Sequence, residues 1–79
     1  MNQEEALKWI SDLFEEPENN LSPDTPREAI PAWDSLGVLT LMAAMDERFG
    51  IFLRDTDLRA MTKVDHILDV LRKNRKLSN

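Results

Sequence analysis

All four prolines of this 79-residue chain fall between Pro17 and Pro31, and none occurs elsewhere. Proline lacks a backbone donor and clashes with the turn before it, so it ends a helix. Regular helix is therefore confined to the residues before Pro17 and those after the loop that ends at Trp33. With two glycines and few β-branched residues, strands have little support. On both sides of the loop the apolar residues recur at helical spacing. The segment Gln3 to Glu16 carries Ala6, Leu7, Ile10, Leu13 and Phe14 as one stripe. Glu4 and Glu5 stand where the helix dipole favours acids.

A structureless connection from Pro17 to Trp33 is long for so small a domain. Leu21, Ile30 and Trp33 are expected to pin it over the core, with a short helical turn near Arg27 to Ile30. A second helix is expected from Ser35 to Phe49, with Asp34 as its N-cap and Gly50 as its stop. Its expected core stripe is Leu39, Met42, Met45 and Phe49. Asp55 is expected to cap a short third helix through Leu58 to Met61. Thr62 and Asp65 read as the capping box of a fourth, which buries Val64, Ile67, Leu68 and Leu71. The expected fold is all-α, a small antiparallel helical bundle of three long helices plus a short third one. It forms a single domain over residues 1–79, ordered over about 3–75, with the tail from Arg72 to Asn79 frayed.

Composition removes several function classes. There is no cysteine, so disulfides, thiolate metal sites and cysteine nucleophiles are out. The single histidine, His66, rules out a multi-histidine metal site, and we expect it in an ordinary surface or boundary role. No metal site and no catalytic residue are expected. The carboxylates are spread over solvated faces, and Asp55-x-Asp57 lacks the glycine and distal glutamate of a calcium loop. Residues 1–69 hold fifteen acids and six bases, a net of −9, whereas residues 70–79 hold four bases and no acid. An acidic body disfavours nucleic acid and favours partners with basic faces. The basic end complements the C-terminus of a helix. No apolar run suits a membrane span. The acidic start, Met1 to Glu5, lacks the regions of a signal peptide, so the expected address is cytoplasmic and the expected state monomeric.

One site stands apart. Ser35 follows Asp34 at the start of a helix, after the long loop. Free backbone N–H groups and the positive dipole end would meet any phosphate attached there. Asp-Ser before an apolar helix is also simply a good start signal.

Asp34-Ser35-Leu36, with Asp46-Glu47-Arg48-Phe49-Gly50-Ile51 closing the helix, resembles the acyl carrier protein family. The resemblance extends to the acidic first helix, the proline-rich loop, the short third helix after Asp55 and the Met61-Thr62-x-Val64 lead-in to the last. It implies that Ser35 carries 4′-phosphopantetheine, installed from coenzyme A by a phosphopantetheinyl transferase. The arm's thiol then holds an acyl group as a thioester, so the absent cysteines are no obstacle. It implies that Asp34 and Leu36 support the motif and that acyl-loading ligases or synthases are partners. It also implies that the protein is not itself an enzyme. Leu36, Thr40, Ala43 and Glu47 share one face of the helix and are the expected docking surface. Met42, Met45 and Met61 are candidates for an adaptable acyl cavity. The chain departs from the common fatty-acid carriers at Gly37 and Thr40, where they place acids, and at Ala32 and Trp33, which replace smaller residues. A specialised pathway is thereby favoured. The alternatives are an aminoacyl or peptidyl carrier, and a helical interaction module in which Asp34-Ser35 is only a cap. A hydrolase using Ser35 would lack a base.

Overall fold

The computed structural model describes residues 1–78, and Asn79 lies outside the described residues. Four α-helices form the fold: α1 Gln3–Phe14, α2 Ser35–Phe49, α3 Asp55–Ala60 and α4 Val64–Lys73. The class is all-α, as expected, and no strand occurs among the described residues. Two short 3₁₀ turns, Glu18–Asn20 and Arg27–Ala29, interrupt the proline loop.

α1 is capped by Asn2, whose side chain accepts the Glu5 N–H while Glu5 accepts the Asn2 N–H. It ends two residues earlier than expected. Glu15 adopts the left-handed conformation, with φ 55°, and the Glu16 N–H closes onto the Ser11 carbonyl at 2.9 Å. That closure ends α1 before Pro17, whose predecessor is biased away from helix.

The core gathers Ala6, Ile10 and Phe14 from α1, Leu41 and Met45 from α2, Leu58 from α3, and Val64, Ile67, Leu68 and Leu71 from α4. Leu21, Ile30 and Trp33 are buried and hold the loop against this core, as expected. Trp33 stacks on Phe14, with ring centroids 5.3 Å apart and planes 16° from parallel.

The phase of α2 differs from expectation. Leu39 is 55% exposed, and the fully buried leucine is Leu41. The buried line is Gly37, Leu41 and Met45, with Val38, Met42 and Phe49 packed partly against the core. α2 is apolar on most sides, so periodicity alone admits either phase. Gly37 decides it. A Cβ there would lie 2.0 Å from the Ala32 carbonyl oxygen and 3.5 Å from Phe14 Cε1, so only glycine lets the loop approach this closely.

The starts of α3 and α4 also differ. Asp55 is the first residue of α3 rather than its cap, and Asp57 instead accepts the Arg54 N–H at 2.9 Å. Thr62 does not cap α4. The proline loop does so: the Thr25 carbonyl accepts the Val64 N–H at 2.9 Å, and the Pro23 carbonyl accepts the Asp65 N–H at 2.8 Å. The Arg27 N–H returns to the Thr62 carbonyl at 2.8 Å. Orphan donors of a helix start need an acceptor, and backbone carbonyls serve as well as a side chain. The Thr62 N–H in turn goes to His66 Nδ1 at 3.0 Å.

The tail is docked where fraying was expected. α4 stops at Lys73, yet Leu77 is buried. The Ser78 N–H donates to the Met1 carbonyl at 2.7 Å, and the Met1 ammonium donates to the Lys76 carbonyl at 3.0 Å. No helix among the described residues is long and apolar enough to cross a membrane.

Candidate functional site

The site is built on the junction of the loop with α2. Trp33 is anchored on Phe14, and its carbonyl accepts Arg27 Nε–H at 2.9 Å. Asp34 is in extended conformation, and its Oδ1 accepts the Gly37 N–H at 2.9 Å. This is the expected N-cap. The next residue, Ser35, opens the first turn of α2 and is exposed. No hydrogen bond among the described residues engages its hydroxyl. The geometry fixes the backbone that presents this oxygen while leaving the oxygen itself accessible.

Ser35 lines an open cleft of about 210 Å³ together with Arg27, Val38, Asp55, Leu58 and Arg59. Arg59 and Asp55 pair across one turn of α3 at 2.9 Å. The Arg27 guanidinium stands 6.0 Å from the Trp33 ring centroid. The cleft thus offers one hydroxyl, two guanidinium groups, one carboxylate and two aliphatic walls.

All four residues of the expected docking face, Leu36, Thr40, Ala43 and Glu47, are exposed. Leu36 is 73% exposed. The Thr40 hydroxyl donates to the Leu36 carbonyl at 3.0 Å, which directs its polarity to the helix rather than to solvent. Leu39 adds a second exposed leucine to α2. The three methionines do not line the cleft beside Ser35. Met45 and Met61 are buried, and Met42 packs against the same core.

Sequence reasoning missed Arg27, Val38, Asp55, Leu58 and Arg59 as neighbours of Ser35. No local pattern points to them, because they come from the loop, α2 and α3 and meet only when the chain folds. Leu39 was also missed, because the expected phase of α2 put it in the core stripe.

The one carboxylate of the cleft, Asp55, pairs with Arg59 at 2.9 Å, and no hydrogen bond among the described residues joins it to the Ser35 hydroxyl. His66 lies on α4 and borders a different depression, with Asp57, Met61 and Lys73. Among the described residues no cluster of three acidic or histidine side chains is placed to hold a metal. Arg72 on α4 has its pKa raised above the ordinary arginine value, chiefly by its hydrogen bond to Asp69 and further by Asp65. It lies outside the Ser35 cleft.

Compared with protein-family models, curated proteins and solved structures, the chain finds no match in any of the three.

Proposed function

We propose that this chain is a carrier protein that holds acyl intermediates on a 4′-phosphopantetheine arm at Ser35 and delivers them to partner enzymes in a specialised acyl pathway of the cytoplasm. The observation that carries the reading is the exposed Ser35 hydroxyl, on a first helical turn whose backbone the Asp34 cap holds in place.

The residues around Ser35 fit such a group. An exposed oxygen accepts a phosphodiester without displacing any internal hydrogen bond. Arg27 and Arg59 supply positive charge beside it, and Val38 and Leu58 supply apolar wall. The first turn of α2 adds the positive end of its dipole. When bound, the group supplies a terminal thiol that holds the cargo as a thioester. The chain's own residues act by presentation. Asp34 fixes the first turn, Gly37 lets the loop close on it, and Trp33 anchors the loop to α1. Leu36, Leu39, Thr40, Ala43 and Glu47 form the surface on which a phosphopantetheinyl transferase and the acyl-loading ligases or synthases dock. With two exposed leucines and few acids on the first turns, docking depends more on apolar fit than on charge steering. The chain is a substrate and shuttle for enzymes, not an enzyme.

The cargo is an acyl group in this reading and an aminoacyl or peptidyl group in the nearest variant of it. A helical interaction module is favoured by the same exposed leucines, and it needs no modification. Incubation with coenzyme A and a promiscuous transferase separates the two. Intact mass of the wild type rises by one phosphopantetheine, and that of Ser35→Ala does not. Unchanged wild-type mass with every transferase tried, or addition at another residue, overturns the carrier reading.

A further inference from the structure

The cleft beside Ser35 holds two arginines whose donors exceed what presentation of a hydroxyl uses. The chain carries a net charge of −5, yet this cleft sets Arg27 and Arg59 against the single carboxylate Asp55. Each arginine keeps donors beyond those that the fold engages. Arg27 donates Nε–H to the Trp33 carbonyl, and no other hydrogen bond among the described residues engages its guanidinium. A guanidinium has five N–H donors, so its terminal nitrogens keep theirs. Arg59 pairs with Asp55 on the surface, where the two side chains are 80% and 74% exposed. An ion pair so open to water holds weakly and yields to a better acceptor.

The ligand chemistry follows from the charge. Guanidinium forks match phosphate oxygens in pairs. Two guanidiniums and one carboxylate leave the cleft one positive charge in excess, which a single anion balances. A phosphodiester on Ser35 Oγ carries one negative charge. A phosphomonoester carries about −1.5 to −2 near neutral pH and would face Asp55 uncompensated. Beyond the arginines, Val38 and Leu58 offer apolar surface to a neutral chain leaving the phosphate.

We infer that Arg27 and Arg59 clasp the phosphodiester on Ser35 Oγ and lay the first part of the arm along Val38 and Leu58. The resting carrier then holds its arm against α3 instead of letting it swing free. The inference rests on the carrier reading, and it names residues and a bound state that the reading does not require.

The test is nuclear magnetic resonance on protein modified to completion with coenzyme A, confirmed by intact mass. Modification should shift the Arg27 and Arg59 Nε–H resonances and give contacts between pantetheine protons and the Val38 and Leu58 methyl groups. In Arg59→Gln, a substitution at an exposed site, the phosphorus resonance should move towards that of the modified protein unfolded in urea, whose phosphodiester is unclasped. Arg27→Lys keeps the charge but loses the fork, and it should move the resonance in the same direction. About 1 M salt, where the screening length falls to roughly 3 Å, should weaken the shifts in the wild type. Complete modification with unmoved arginine resonances and no methyl contacts overturns the clasp and leaves the carrier reading standing. Absence of modification with every transferase overturns both.

Discussion

Gly37→Ala is the sharpest test of how Ser35 is held. An alanine Cβ at this position would stand 2.0 Å from the Ala32 carbonyl oxygen and 3.0 Å from its carbonyl carbon. To bring the oxygen back even to 3.0 Å, the loop or the helix must retreat by about 1 Å, and the obstacle is backbone rather than a flexible side chain. Phe14 Cε1, at 3.5 Å, closes the other direction. Two effects oppose each other. Alanine favours helix over glycine by about 1 kcal/mol. Overpacking with a backbone shift costs typically about 1–3 kcal/mol, and movement of the first turn also strains the Asp34 cap, itself worth about 1 kcal/mol. The clash and the cap together exceed the gain in propensity, so a net loss of about 1–2 kcal/mol is expected.

For a domain of this size about 1 kcal/mol lowers the melting temperature by roughly 4–8 °C. Thermal and urea denaturation followed by circular dichroism measure the loss. Gly50→Ala serves as the comparison. Gly50 has φ of +66°, and a Cβ added there would meet nothing within 4 Å, so its penalty is one of backbone conformation alone, about 1–2 kcal/mol. The two variants separate in the exchange of amide protons at the start of α2. Gly37→Ala should expose the Val38 amide, which donates to the Asp34 carbonyl at 2.9 Å. Gly50→Ala should leave it protected. A Gly37→Ala protein as stable as the wild type, or more so, would show that the contact with Ala32 does not set the phase of α2.

Three further outcomes follow from named contacts. Trp33→Ala removes a buried ring stacked on Phe14 and should destabilise by about 3–5 kcal/mol, leaving the loop open to limited proteolysis near Ile30; a resistant, fully folded variant would contradict the anchoring role. Arg72 binds Asp69 at 2.7 Å and Asp65 at 3.1 Å from a half-exposed position, so Arg72→Met should cost about 0.5–1 kcal/mol, less at high salt. Its raised pKa stabilises the fold below the unfolded arginine pKa, and that stability is lost only as pH climbs through the still higher folded value. The arginine contribution should therefore be flat across neutral pH, and a wild-type-minus-variant difference that changes between about pH 6 and 8 would count against it. Leu77→Ala should cost about 2 kcal/mol and free the Ser78 amide to exchange, because burial of Leu77 holds the tail against Met1; unchanged Ser78 protection would show that the backbone bonds alone suffice.

The helices were legible because their stripes and stops are local. Asp34, Gly50 and the α4 stripe each announce themselves within a few residues, and the loop anchors Leu21, Ile30 and Trp33 stand out as apolar residues in a polar stretch. What was not legible depended on partners distant in sequence. Leu39 and Leu41 are equally apolar, and only the approach of Ala32 to Gly37 chooses between them. Thr62 reads as a cap by residue type, but the carbonyls of Pro23 and Thr25, far earlier in the chain, fill that role. The tail reads as frayed because its bases are solvated, and the clasp with Met1 leaves no mark in either segment. At the site, Ser35 and its cap are local and were read directly. The arginines are not, since Arg27 and Arg59 reach the same cleft from opposite sides of α2 in the sequence.

The proline loop is more than a tether between α1 and α2. Its carbonyls at Pro23 and Thr25 cap α4, its Arg27 amide binds the Thr62 carbonyl, and its Arg27 side chain binds the Trp33 carbonyl one residue before the Asp34 cap. A continuous set of hydrogen bonds therefore runs from the start of α4 to the turn that presents Ser35. His66 sits at the far end of this set, accepting the Thr62 N–H at Nδ1. His66→Ala leaves that N–H to water. Because the group is exposed, the global loss should be near the low end for a hydrogen bond, about 0.5 kcal/mol. The local effect should be larger than the global one, since the same residue, Thr62, carries the carbonyl that receives the Arg27 amide. Amide exchange should quicken at Thr62, Arg27 and Val64 together, while α1 amides such as Ile10 follow only the small global change. Loss of protection at Thr62 alone would mean that the junction is a set of independent bonds, and that Ser35 is positioned by Asp34, Gly37 and Trp33 without help from α4.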